Sequence, residues 1–203
     1  MHRDHSKPPY MFQSKAVDYF FAWRWWVAPV VFMPVSATSV ALAFRFSDIK
    51  VVQSIGAIVG GILLWTLFEY CMHRVMFHFE GNGPLTRHLH YVVHGMHHAH
   101  PTDPKRVIFP PFGSLFIGLL MAAVLYMVLP LAWFFCVFAG FICGYCWYEF
   151  MHYAAHHVKW QIPVMRRLKR HHLLHHHNRD GVQNNFGVTT SLWDHVFGTF
   201  LAK

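Results

Sequence analysis

The chain has 203 residues, of which 55% are hydrophobic and 13% charged, whereas soluble domains carry about a quarter charged residues. This composition argues against a free-standing soluble protein, and the high apolar content excludes a disordered or collagen-like chain. The formal net charge of +8 does not indicate a nucleic-acid partner, because the basic residues flank long apolar runs instead of forming a stripe on a polar fold.

Four segments are apolar over roughly the 20 residues that a helix needs to cross a bilayer. They cover about 25–44, 51–70, 112–129 and 131–150. Short links join the first to the second and the third to the fourth, so the segments form two hairpins. The predicted fold is therefore all-α: a polytopic membrane protein of one domain, 1–203, with four transmembrane helices in two hairpins under a helical cap at about 73–111 and 152–203.

The distribution of Lys and Arg predicts how the chain is oriented. Arg45 and Lys50 lie between the first two predicted spans, and the other 15 of the 17 basic residues precede the first span or follow a hairpin. Loops rich in Lys and Arg stay in the cytoplasm. We therefore expect the cap and both termini to be cytoplasmic.

Ten of the 19 histidines recur at helical spacing after the two hairpins. His73 and His78 form H-x4-H, His152 and His156 form H-x3-H, and two H-x-x-H-H motifs comprise His94, His97, His98 and His172, His175, His176. Residues three and four apart share a helix face, so each H-x-x-H-H predicts a three-ligand face on helices expected at about 85–98 and 163–178. His73 and His78 lie about 140° apart on a helix, which requires a kink or a helix end between them.

Ten motif imidazoles exceed the four ligands of tetrahedral zinc and suit two metal ions that bind five or six ligands each. Neutral imidazole binds iron, copper, zinc and nickel. An all-nitrogen ligand set also predicts carboxylates in contact with the ligands, to compensate the metal charge. Glu69 and Glu149 precede His73 and His152 by one helical turn and are the first candidates, and Asp103 and Asp194 are the others.

Two other classes of protein were weighed against an enzyme. A histidine-rich tract that binds metal nonspecifically is contiguous and polar, unlike these spaced motifs in apolar sequence. A transporter places ionisable residues in mid-span, whereas all ten motif histidines fall outside the four predicted spans.

The segments that flank the histidines carry a further pattern. His-Gly-Met-His-His at 94–98 precedes P-T-D-P-K-R-V-I-F-P-P at 101–111, and R-L-K-R-H-H-L-L-H-H at 167–176 precedes F-G-V-T-T-S-L-W-D-H-V-F-G-T at 186–199. Over about residues 70–203 the chain thereby resembles the fatty acid hydroxylase superfamily of histidine-box membrane enzymes, and within it the fatty acid and sphingolipid 2-hydroxylases. Carotenoid hydroxylases and sterol desaturases share the histidines but match these flanks less well, and they remain the alternative.

The resemblance implies an O2-dependent monooxygenase that hydroxylates an acyl lipid at carbon 2. It implies a dimetal site, iron in the active enzyme and zinc possible in isolated protein, with all ten motif histidines as ligands. Fungal and animal relatives carry an amino-terminal cytochrome b5 domain, which plant relatives lack and which the 24 residues before the first span cannot hold. We therefore expect a separate electron donor, cytochrome b5-like or ferredoxin-like, and a bacterial inner membrane, or the endoplasmic reticulum in a eukaryote.

Charge location suggests where a substrate would bind. We expect the acyl tail among the apolar residues of the third and fourth spans, and its head group near Asp103, Arg106, Lys169 and Arg170. Asn185, Trp193 and Asp194 order a loop over the metals in one interpretation, and in the other Trp193 is ordinary core.

Overall fold

The computed structural model describes residues 14, 23–79, 81–109, 111–177 and 181–202, and within these ranges it is helical with no strand. Helices are numbered in chain order: α1 is Val27–Phe46, α2 Val51–Cys71, α3 Pro84–His90, α4 Met96–Ala99, α5 Pro111–Val128, α6 Leu131–His157, α7 Pro163–His177 and α8 Leu192–Val196. Two π-helices, Met72–Phe77 and Tyr91–Gly95, and a 3-10 turn, Gly181–Gln183, complete the fold. The predicted cytoplasmic termini, with Arg3, Lys7, Lys15 and Lys203, lie outside the described residues.

Three helical segments are long and apolar enough to cross a membrane: Val27–Phe46, Val51–Phe77 and Leu131–His157. The segment predicted as the third span, 112–129, is also helical, but its apolar part, Phe112–Val128, is shorter than the other three. A helix of that length extends about 26 Å, against a hydrocarbon core about 30 Å thick. The structure thus supports three of the four predicted spans by length and composition.

The helices that contain the second and fourth predicted spans continue past them. The second helical segment continues past residue 70 through the π-helix to Phe77, and α6 continues past residue 150 to His157. Consequently His73, His152 and His156 lie on continuations of the apolar helices and not on separate segments that follow them. A 27-residue helix is about 40 Å long, so its last turns can extend beyond the apolar layer.

Helix α6 is the centre of the bundle and packs against α1, α2 and α5. Close approach to α2 depends on two glycines, because a Cβ at Gly61 would collide with the Val137 carbonyl and one at Gly140 with the Ile58 carbonyl. Small residues allow such backbone contact between membrane helices. Because α2 and α6 pack closely, His73 just after α2 and the histidines in the last turns of α6 lie at the same end of the bundle.

Both helices that the histidine spacing predicts are present. Residues 84–99 are continuously helical, through α3, a π-helix and α4, where a helix at 85–98 was predicted. Helix α7 begins at Pro163, a residue suited to a first helical turn, and ends at His177, one residue before the predicted end. Both predictions are confirmed.

Candidate metal centre

The π-helix Met72–Phe77 provides the irregularity that His73 and His78 require. A π-helix pairs residues five apart and occurs mostly as a single turn at functional sites. His73 lies inside it and His78 caps it, which brings their ring centroids to 5.2 Å. The prediction of a break in regular helical geometry at this pair is confirmed.

The structure brings all ten motif histidines together, in two groups of five. The first histidine group is His73, His78, His94, His98 and His175. The second histidine group is His97, His152, His156, His172 and His176. Among the residues that the structure describes, neither group includes a carboxylate or a thiol.

Each H-x-x-H-H motif is divided between the two groups, which differs from the predicted three-ligand faces. Its first and last histidines join one group, and the middle one, His97 or His175, joins the other. Positions i and i+4 lie close together around a helix, whereas i+3 is offset from i+4 by about 100°. Each motif helix thus contributes two histidines to one group and one histidine to the other, so both helices connect the two groups.

The nitrogen positions fit a metal ion in each group. Within each group, one nitrogen per ring lies within 4.8 Å of the other four. Neighbouring Nε2 atoms are 2.8–3.1 Å apart. Ligands at right angles around an ion with metal–nitrogen distances of 2.1 Å would be about 3.0 Å apart, and opposite ligands about 4.2 Å.

Backbone carbonyls set the tautomers of two histidines in the first group. His73 Nδ1 lies 2.5 Å from the Phe186 carbonyl oxygen, and His175 Nδ1 lies 2.8 Å from that of Asn184. Because a carbonyl only accepts, each Nδ1 carries the proton and donates it, which leaves the Nε2 lone pair free for a metal. In the second group the buried Nδ1 atoms of His97, His152, His172 and His176 have no hydrogen-bond partner among the residues that the structure describes.

Burial keeps these imidazoles in the neutral form that binds metals. Burial, with smaller effects from neighbouring rings such as that of His175, lowers the pKa of His78 to about 3 and that of His98 to about 2. The same two causes, burial first, lower the pKa values of His94, His97, His172 and His176.

The two groups are in direct contact. The rings of His98, from the first group, and His176, from the second, are stacked with their centroids 4.2 Å apart. His97 also lies 4.5 Å from His176 within the second group. Two metal ions bound here would therefore be neighbours separated only by imidazole rings.

Glu69, a predicted carboxylate partner of the ligands, binds a different part of the chain. Its Oε1 accepts hydrogen bonds from the backbone N–H of Val188 at 2.6 Å and of Thr189 at 3.0 Å, and its Oε2 accepts one from the Thr189 hydroxyl. These residues belong to the closing segment, defined as residues 181–202. Glu69 therefore holds this segment in place, and the Phe186 carbonyl of the same segment accepts a hydrogen bond from His73.

Asp194 organises the closing segment from within. It is fully buried, and its carboxylate accepts hydrogen bonds from Phe186 N, Gly187 N, Thr199 Oγ1 and His171 Nε2, all at 2.8–3.0 Å. Burial alone would raise the pKa of Asp194, but these hydrogen bonds, led by that from His171, outweigh it and lower the pKa. Asp194 thus fixes the turn that presents the Phe186 carbonyl to His73.

Asn185 and Trp193 complete this arrangement. Asn185 adopts a positive φ of 56°, which asparagine tolerates better than most residues, and its buried side chain pairs with both backbone polar groups of Leu201. Trp193 Nε1 donates to Thr66 Oγ1 on α2 at 3.0 Å. Both contacts support the interpretation in which these residues order a loop beside the histidines.

The other two candidate carboxylates have different surroundings. Glu149 is fully buried on α6, and its Oε1 accepts a hydrogen bond from Phe109 N at 3.3 Å. Asp103 caps the Lys105 backbone N–H at 3.0 Å and lies 3.7 Å from Arg106 Nε. Neither carboxylate belongs to a histidine group.

The predicted head-group residues fall into two places. Arg106 is buried and lines a cavity with His94, His97 and His152, directly beside the histidine groups. Lys169 and Arg170 line a separate surface groove on α7. Of these three residues, Arg106 is the one that shares a cavity with members of the histidine groups.

Sequence reasoning missed the carbonyls of Asn184 and Phe186. Every residue has a carbonyl, so no residue type marks one that orients an imidazole. An indirect signal does exist, because Glu69 and Asp194 hold the segment that carries these carbonyls. The sequence marks these two residues only as candidate carboxylates beside the metal ligands.

The fold and the two histidine groups define a histidine-rich membrane protein with a potential dimetal centre. The fatty acid hydroxylase family model matches residues 58–199, and the chain belongs to this family. The resemblance predicted from the histidine motifs and their flanks is confirmed, and the protein is an oxidoreductase of the fatty acid hydroxylase family.

Curated relatives are named as 2-hydroxylases and very long chain fatty acid hydroxylases. The chain is 34% identical to dihydroceramide fatty acyl 2-hydroxylase FAH2 of Arabidopsis thaliana, over 94% of this chain and 79% of the relative. It is 36% identical to the ceramide very long chain fatty acid hydroxylase SCS7 of Saccharomyces cerevisiae, over 87% and 46%. It is 30% identical to fatty acid 2-hydroxylase of Rattus norvegicus, over 100% and 59%.

A solved structure is also similar. It is described as full-length scs7p with only the hydroxylase domain visible, and it matches with a TM-score of 0.85 at 34% identity, over 92% of this chain and 70% of that one. These similarities do not favour the alternative carotenoid and sterol enzymes.

Proposed function

We propose that this protein hydroxylates carbon 2 of an acyl chain in a fatty acid or ceramide, using O2 and electrons from a separate donor. The single observation that carries the proposal is the convergence of ten histidines into two adjacent five-nitrogen groups. Relatives named as 2-hydroxylases, which the chain matches over nearly its full length, supply the position of the reaction.

The ten histidines would hold two metal ions, five nitrogens to each, and we assign iron to the active enzyme. Iron would supply the redox chemistry that O2 activation needs, whereas zinc, which has no redox chemistry, would only fill the same geometry. The chain's own contribution is to hold ten imidazoles together in buried or partly buried positions, with the carbonyls of Asn184 and Phe186 orienting His175 and His73.

We assign the substrate head group to Arg106. Carbon 2 is bonded to the carbonyl carbon, so the polar head must bind within a bond or two of the atom that reacts. Arg106 is a buried cation in the cavity lined by His94, His97 and His152, which suits a carboxylate or an amide oxygen. The acyl tail would then extend between α5 and α6.

The proposal also includes an arrangement in the membrane and one partner protein. The protein lies in a bilayer, with α5 as a fourth, shorter span beside the three longer ones, and the cap and termini face the cytoplasm, of a bacterial inner membrane or of the endoplasmic reticulum. Two electrons per turnover come from a separate cytochrome b5-like or ferredoxin-like protein. The excess of Lys and Arg on the side of the cap and termini, 15 of 17 residues, supports this orientation.

Expression in a bacterium that lacks 2-hydroxylated lipids tests the reaction itself. We expect the host's acyl chains to gain one oxygen atom, located at carbon 2 by fragmentation in lipid mass spectrometry. A His97→Ala/His98→Ala variant, which removes a ligand from each histidine group, is the inactive control. Loss of two hydrogens, or oxygen at another carbon, would contradict the proposed reaction.

The role of Arg106 is tested by Arg106→Gln. Loss of a charge-assisted hydrogen bond to the head group is expected to raise KM at least about tenfold, because such bonds contribute roughly 1.5–3 kcal/mol. The matched control is Arg170→Gln, which makes the same change on the separate groove of α7 and should leave KM unchanged. An unchanged KM in Arg106→Gln, with metal content intact, would refute the assignment.

A further inference from the structure

Three cavities adjoin one another between the membrane face of the bundle and the histidines. The inner cavity lies among the four long helices and is lined by residues that include Phe32 of α1, Trp65 of α2, Gly118 of α5 and Phe141 of α6. Its lining is almost entirely apolar, which suits a hydrocarbon chain. The cavity with Arg106 and the histidines, described above, lies beside it.

The third cavity, the membrane-side cavity, opens between α1 and α5. It is lined by Val31 on α1 and by Phe112 and Leu115 on α5, whose side chains are each about half exposed. Phe32 and Tyr145 line both this cavity and the inner one. An apolar opening between two membrane helices suits the entry of a lipid chain.

Phe109 stands where the three cavities meet, since it lines all of them. Its ring is stacked on Phe77 at 5.3 Å, and Phe77 is stacked on His94 at 5.2 Å. Gly113 makes room for the ring, because a Cβ there would lie 2.6 Å from Phe109 Cε1. The buried Glu149 holds the Phe109 backbone N–H. These contacts hold Phe109 in place at the point where an acyl chain would pass from one cavity to the next.

The floor of the inner cavity is formed by the lining residues farthest along their helices from the histidines. Trp65 and Phe141 meet there edge to face, with ring centroids 5.0 Å apart. Gly118 is the corresponding residue on α5, and a Cβ at this position would meet no atom within 4 Å. Adding a Cβ at position 118 therefore displaces no protein atom.

We propose that these cavities form one acyl-chain path, entered from the bilayer between α1 and α5, and that the residue at position 118 limits the chain length accepted. The tail lies in the inner cavity with its end at Gly118, the chain bends at Phe109, and the head reaches Arg106. This inference rests on the proposed function and adds to it the route and the residue that determines specificity.

A graded series, Gly118→Ala, Gly118→Leu and Gly118→Phe, tests the floor. With growing side-chain volume, long-chain products should decline relative to short-chain products, by about tenfold for Gly118→Leu, because overpacking costs roughly 1–3 kcal/mol. The readout is the chain-length distribution of 2-hydroxy lipids in the expression host. Gly60→Leu is the matched control, since a Cβ at Gly60 also meets no atom and Gly60 faces outward from α2.

The outcomes separate the two proposals. If wild-type protein forms no 2-hydroxy lipid, the proposed function fails. If wild type is active but Gly118→Leu keeps the wild-type distribution, or loses all chain lengths equally, the inference about position 118 is overturned and the function stands. Gly118→Ala, which adds only a methyl group, ensures a folded member of the series.

Entry from the bilayer is tested by adjacent residues of α1. Val31→Trp should obstruct the membrane-side cavity and lower kcat/KM for a lipid substrate in vesicles about tenfold. Val30 is exposed and lines none of the three cavities, so Val30→Trp should leave kcat/KM unchanged. Equal effects of the two variants, or none from Val31→Trp, would exclude this entrance.

Discussion

The double variant His97→Ala/His156→Ala is expected to retain about one metal ion per chain, whereas His97→Ala/His98→Ala is expected to bind less than one. The first pair removes two ligands from the second histidine group only, although the two residues lie far apart in sequence. The second pair removes neighbouring residues in sequence but one ligand from each group. The contrast depends entirely on how the tertiary structure divides the motifs.

Metal content per chain, measured by elemental analysis of protein loaded with iron or zinc, checks this result. A third variant, His78→Ala/His175→Ala, provides the reciprocal control, because both residues belong to the first group and lie 3.0 Å apart at Nε2. It should also retain about one ion. Equal metal contents in all three variants would contradict two separate five-histidine sites.

Asp194→Asn is expected to destabilise the protein by about 3 kcal/mol and to accelerate loss of metal from the first histidine group. The carboxylate accepts four hydrogen bonds in a fully buried position, and an amide would present two N–H donors to a set that consists mostly of donors. The freed turn would no longer hold the Phe186 carbonyl against His73. Activity should fall together with metal retention.

Thermal unfolding and the rate of metal release to a chelator measure the two effects. Asp48→Asn is the control for the same substitution, since Asp48 is exposed on the link between α1 and α2. It should change neither quantity. Normal metal retention in an Asp194→Asn protein that unfolds at lower temperature would show that Asp194 stabilises the fold without positioning His73.

The fold was predictable from the sequence where hydropathy and helix signals dominate. Apolar runs located all four long helices, and the histidine spacing with Pro163 located both cap helices. Hydropathy located the apolar parts of α2 and α6 but not the turns that continue them, because the histidines there are polar and hydropathy cannot distinguish a helix that ends from one that leaves the apolar layer. The short helix α5 presents the same difficulty, because hydropathy alone does not show where a helix enters or leaves the bilayer.

The contacts of the candidate carboxylates were not predictable from the sequence, for a different reason. Glu69 and Asp194 stood out because an acid near or within an apolar region needs a partner. Each of them accepts two hydrogen bonds from backbone N–H groups of the closing segment, and those that bind Glu69 are more than 100 residues away along the chain. Backbone groups are the same at every position, so residue types and spacing could not identify these contacts.

The sequence by itself determined the ten candidate ligands, their neutral nitrogen chemistry and the apolar helices that carry them, because residue type and helical period are local properties. Only the tertiary structure decided which histidine joins which group, which arginine lies beside them and where an acyl chain can pass. Those depend on the 100° between adjacent helix positions, on glycines that let α2 and α6 touch, and on a closing segment folded back onto α2. Each is a relation between distant parts of the chain.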